Sequence, residues 1–115
     1  MGGLIGAFSP GCVASLAGDA DALSEPEAFR GERSCWSGPG GHVTAYRWTW
    51  EPVPLAFDGR CVVALQGDLF VEGGTQGAPW LLERYRRSGP EALRGLDGEF
   101  SGLVWYVSSG ALLLF

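Results

Sequence analysis

The chain has 115 residues, the length of one domain or of part of one. With 46% hydrophobic and 18% charged residues it can bury a sizeable core, which excludes disorder throughout. The formal charge is −5 and all eight basic side chains are arginines, so nucleic acid is a poor partner; Arg84, Arg86 and Arg87 read as a solvated helix face.

Residues 2–8 form a short apolar stretch, expected to be a strand buried on both faces. "MGGLIGAF" lacks the basic start of a secretory leader, and Gly6 stands where a myristoylation pattern needs Ser or Thr. Apolar runs fall short of a membrane span, so no membrane partner is expected and cytoplasm is the expected location. Cys12, Cys35 and Cys61 are then free thiols, expected to be buried or half-buried. There is no CxxC, and the lone His42 falls in a Gly-rich loop, so no zinc set is expected.

Residues 9–41 read as loop-rich, broken by Pro10, Gly18, Pro26 and "GPGG". "DALSEPEAF" offers one helical turn, with Ser24 as N-cap and Glu27 at the capping-box position. "HVTAYRWTW" (42–50) is aromatic and β-branched enough for a strand, which "EPVP" ends. "RCVVALQGDLFV" (60–71) is a buried strand that meets Gln66-Gly67-Asp68 and resumes. A glycine there marks a bulge, a tight turn or a close backbone approach.

"APWLLERYRRSG" has helical spacing, with Trp80, Leu81 and Tyr85 on one side and Gly89 as the stop. "PEALRGL" is a short helix opened by Pro90. "GEFSGLVWYVSSGALLLF" reads as a hairpin turning at "SSG". Strands, then helices, then strands indicate an α+β fold with antiparallel pairing, with Leu4, Ala7, Val62, Ala64, Leu103 and Trp105 in its core. The five tryptophans are expected to pack rather than to stack on a ligand.

Three colinear stretches resemble a known family. "MGGLIGAF", "VVALQGDLF" and "ERYRRSGPEALRGLDGEFSGLVWYVSSGALLLF" are similar to segments of the glutaminase domain of class II glutamine amidotransferases, in the asparagine-synthetase branch. The resemblance implies an N-terminal-nucleophile (Ntn) hydrolase fold, with stacked antiparallel sheets between helical layers. Residues 1–115 would then be the N-terminal part of such a domain, with the ATP-dependent synthetase domain outside this sequence.

In that family a cysteine at position 2 attacks the glutamine amide and its own α-amino group is the base. Here Gly2 occupies the position and supplies neither thiol nor thiolate. Gln66 and Gly67 fall where the family places its oxyanion donors, with Gln one methylene longer than the family's Asn. Asp68 falls on the acid that holds the substrate's α-amino group. A plain turn at 66–68 is the competing reading. Arg47 lies within one position of the arginine that pairs with the substrate carboxylate, or is simply an exposed strand arginine. Gly77 stands where the family has a binding aspartate.

The resemblance therefore implies a glutaminase site without a catalytic residue, as in β-lactam synthetases and lasso-peptide cyclases. The expected function is support of an amide-forming synthetase, on the same or a separate chain, with natural-product cyclisation as one setting. The alternatives are an active amidotransferase supplying ammonia and a stand-alone amino-acid- or peptide-binding module. No cofactor is expected here: ATP and Mg belong to the synthetase, and the chain has no GxxxxGK loop and no lysine for one. The apolar "ALLLF" ending suggests a strand edge closed by that partner or by self-association.

Overall fold

The computed structural model describes residues 3–8 and 31–115, arranged as two antiparallel sheets with helical structure against the outer face of the second. Gly2, Cys12 and the Ser24–Glu27 turn lie outside the described residues. The first sheet has the order β1-β3-β2, from β1 (Gly3–Phe8), β2 (Glu32–Gly38) and β3 (Gly41–Arg47). The second has the order β4-β5-β7-β8, from β4 (Leu55–Phe57), β5 (Cys61–Val71), β7 (Asp97–Tyr106) and β8 (Leu112–Leu114). The short β6 (Gly74–Gln76) also pairs with β5. Between β6 and β7 lie α1 (Ala78–Ser88) and a 3-10 turn (Gly89–Leu93). The mixed α+β class with antiparallel sheets is as expected from the sequence.

Side-chain alternation on β5 and β7 builds both cores. Val62, Ala64, Leu103 and Trp105 face the first sheet, where they meet Val43, Ala45, Leu4, Phe8 and Trp36. Cys61, Val63, Leu65, Leu69 and Val104 face the other way, onto Ala78, Leu81, Leu82 and Tyr85 of α1. Each face of these strands is therefore covered, which is why "CVVAL" and "LVW" are uninterrupted apolar runs. Trp105 is 1% exposed and packs on Phe8 at a ring distance of 4.7 Å. Room for it comes from Gly41, where a Cβ would lie 2.9 Å from the indole nitrogen.

The helix stripe 78, 81, 82, 85 follows the 3.6-residue period, and its last turn carries Arg86 and Arg87, favourable at the negative end of the dipole. Gly89 ends it at φ 60°, its amide donating to Tyr85 O. At the start no side chain caps the helix; instead the Ala78 amide donates to Val53 O at 2.8 Å.

Several expectations need correction. Among the described residues β1 stands at the edge of its sheet, and Leu4, Ala7 and Phe8 are only half-buried, so it is not the fully covered strand expected. Residues 32–38 are not loop but a strand, and "GPGG" is a hairpin turn: Gly38 pairs with Gly41 across Pro39 and Gly40 (φ 73°). His42 is buried in β3 and bonds Thr44 Oγ1 at 2.9 Å through Nε2. Cys61 is buried as expected, whereas Cys35 is exposed. Trp50 is 77% exposed and stacks on Trp48 at 5.4 Å, so it does not join the core.

Candidate functional site

Arg47 closes β3, one residue beyond Tyr46, which pairs with Gly3 at the head of β1. All three guanidinium nitrogens are occupied. Nε and Nη2 reach Glu32 Oε2 at 2.8 and 2.6 Å, and Nη1 donates to Glu51 O at 2.7 Å. Glu51 in turn accepts the Trp48 amide at 2.7 Å, so Arg47 serves as a clamp on the β3–β4 loop. Its fork is already matched to a carboxylate of the chain itself.

Gln66, Gly67 and Asp68 lie within β5, whose ladder with β7 runs unbroken from Cys61↔Tyr106 to Phe70↔Asp97. The segment is therefore not a strand-interrupting turn. Gly67 has φ 102°, and a Cβ there would lie 2.9 Å from Phe100 Cα. Gly98, at φ 142° opposite Leu69, is equally confined: a Cβ would lie 3.2 Å from Leu69 Cα. Two close backbone approaches, one in each strand, thus account for the glycines.

The other edge of β5 is open at this point. β4 pairs with residues 62–64 and β6 with 69–71, so no described strand pairs with 65–68 on that side. Leu65 N–H donates there to Pro54 O at 2.9 Å, and strand alternation turns the Gly67 amide to the same edge. A backbone donor beside the Gln66 amide is the one element of an oxyanion site that this segment offers.

Opposite Gln66 stands Ser101, and opposite Asp68 stands Glu99, two exposed carboxylates directly across the ladder. Like charges in that position repel. Sequence reasoning missed Glu99, and also Glu32 and Glu51 as partners of Arg47. The signal was available only through register, since 68 and 99 meet once β5 and β7 are paired.

Gly77 caps α1 and lines a cleft of about 300 Å³ with Trp50, Glu51, Thr75, Pro79 and Trp80. A Cβ at Gly77 would lie 2.9 Å from Val53 N and 3.0 Å from Pro52 Cβ. The β3–β4 loop occupies the space that a side chain would need. Of the five candidate positions Arg47, Gln66, Gly67, Asp68 and Gly77, only Gly77 lines this cleft; Arg47 approaches it through Glu51. Gln66, Gly67 and Asp68 stand apart on the sheet. No metal-holding group of His, Cys, Asp or Glu occurs among the described residues, and no helix is long and apolar enough to cross a membrane. No family model, curated protein or solved structure matches the chain.

Proposed function

We propose that this chain is a glutaminase-type amidotransferase domain that has lost its hydrolytic site and supports an ATP-dependent amide-forming synthetase, on the same chain or another. The reading rests on the colinear motifs and is compatible with stacked antiparallel sheets bearing a helix on one outer face. The observation that carries the loss of activity is at Gly77. An aspartate there would collide with the Val53 backbone, so the binding acid is not merely replaced but excluded by the path of the loop. Arg47 supports the same reading, because Glu32 holds the guanidinium that a substrate carboxylate would need. Gly2 supplies no nucleophile. Exposed Leu112 and Leu114 along the β8 edge fit an associated polypeptide, the synthetase or a second copy.

The test is release of glutamate and ammonia from glutamine by the purified chain and by its Gly2→Cys variant. Neither should exceed the buffer blank, because the thiol would act without a binding acid and with a displaced amide donor. Each lost oxyanion or binding donor removes on the order of 10²–10³ in rate. Turnover by Gly2→Cys would overturn the reading and favour a working amidotransferase pocket. Saturable binding of glutamine in calorimetry, without turnover, would favour the amino-acid-binding alternative.

A further inference from the structure

At the end of the β5–β7 pair where Cys61 pairs with Tyr106, five residues along β5 from Gln66, a cleft of about 750 Å³ opens beside the end of α1. That volume lies within the range of small-molecule sites and is far larger than an inorganic ion requires. Its floor is aromatic. Tyr85, 4% exposed, meets Tyr106 edge to ring at 6.0 Å and 60°, and their hydroxyls are hydrogen-bonded to each other. A phenol pair uses one of its two protons internally. The second has no acceptor among the described residues. Cys61, 9% exposed, forms the adjoining wall; burial and the Asp58 charge push its thiol up, so at neutral pH it is an uncharged surface.

The rim is built from Asp58, Arg60 and Arg86. Asp58 is fully engaged: Oδ1 accepts the Arg60 and Cys61 amides at 2.9 and 3.0 Å, and Oδ2 faces Arg86 Nε at 3.3 Å. The Cys61 amide, then that of Arg60 and the Arg86 and Arg60 charges, hold its carboxyl below the usual range against the opposing effect of burial. Arg86 also contacts Glu83 through Nη1 at 3.4 Å. The Arg60 guanidinium makes no hydrogen bond or ion-pair contact among the described residues and acts on Asp58 only through its charge. Ser108 adds a hydroxyl. Two guanidinium groups against one carboxylate leave the lining one positive charge, in a chain whose formal charge is −5.

We propose that this cleft binds a small organic monoanion with a flat apolar body, an aromatic carboxylate being the type, its carboxylate held by Arg60 and Arg86 and its ring laid against half-buried Tyr106, which Tyr85 backs from the core. The free donors all suit an acceptor: unengaged guanidinium N–H groups, the spare phenol proton and the Ser108 hydroxyl. Guanidinium forks match carboxylate geometry and stack on flat groups. The proposal is independent of the glutaminase reading, since neither Gln66 nor Gly77 lines this cleft.

Calorimetric titration of the full chain with benzoate, benzylamine and inorganic phosphate tests it. Benzoate should bind saturably, benzylamine (the same ring with opposite charge) should not, and phosphate should bind more weakly than benzoate. Arg60→Gln, at an exposed position whose side chain makes no hydrogen bond among the described residues, should keep the fold and weaken benzoate about tenfold, the loss expected of one charge-assisted contact. Tyr106→Phe should weaken it by a smaller factor. Peptide mapping after iodoacetamide treatment supplies a second readout: benzoate should slow modification of Cys61 and leave exposed Cys35 unchanged. No saturable benzoate binding, equal binding of benzylamine or phosphate, or unaltered benzoate affinity in Arg60→Gln would each overturn the proposal. So would loss of Cys61 protection as the discriminating signal, with Cys35 and Cys61 slowed alike.

Discussion

The two ends of the β5–β7 pair are built on different principles. In the half that holds Gly67 and Gly98 the backbone sets the terms: these glycines let the strands approach where no side chain fits, and the exposed Asp68 and Glu99 repel across the ladder. At the Cys61 end the side chains converge, with two phenols, a thiol and two guanidinium groups around one cleft. The Gly67–Gly98 half therefore has little capacity left for a ligand, while the Cys61 end has donors to spare.

Substitution at Gly67 should have the largest effect. Gly67→Ala puts a Cβ on a residue at φ 102° and into Phe100 Cα, so urea denaturation should show a loss of about 3 kcal/mol or more. A loss below about 1 kcal/mol would mean that β7 yields freely and that the backbone does not govern this end. Gly77→Asp should follow at about 2 kcal/mol, because displacement of the Val53 segment also breaks its bond to the Ala78 amide. Restored or improved stability there would reopen the cleft as an acid-bearing pocket.

Asp58→Ala, at the other end, should cost about 1 kcal/mol at neutral pH through loss of the two amide contacts. The folded carboxyl titrates below its unfolded value of about 3.9. Its contribution is therefore present above that pH and is lost as pH falls through the folded pKa. Thermal melts of wild type and Asp58→Ala should converge on acidification; a gap that persists in acid would show that packing, not the carboxylate, holds the loop. Glu99→Gln should have the smallest effect, a gain of about 0.3 kcal/mol from relief of repulsion with Asp68. The gain should vanish at high salt.

Much of the fold was legible where apolar pattern and length agreed. The helix at 78–88, its stop at Gly89, the long strand from Cys61 and the strand–turn–strand after Asp97 all follow from periodicity and punctuation. β2 was hidden because Gly38, Pro39, Gly40 and Gly41 read as a break, although the same residues make a tight reversal between paired strands. β4 and β6, three residues each, are shorter than any pattern and exist through their pairing with β5. Among the candidate residues, a close backbone approach at Gly67 was one of the readings open from sequence, but the interruption expected at Gln66 to Asp68 is absent because β7 pairs with all three. That Arg47 is neutralised by Glu32 depended on the β2–β3 register, which sequence periodicity does not contain.

By itself the sequence determined the α+β class, the apolar faces of β5 and β7, and the absence of a side chain at positions 2 and 77. These are local properties, written in residue type and spacing. Only the tertiary structure decided why Gly77 admits no acid, which charges meet across β5 and β7, and that Tyr85, Cys61, Tyr106, Arg60 and Arg86 share one cleft. Those facts arise from strand register and from the path of a loop over a helix start. Such relations join residues far apart in the chain, and no single segment carries the signal for them.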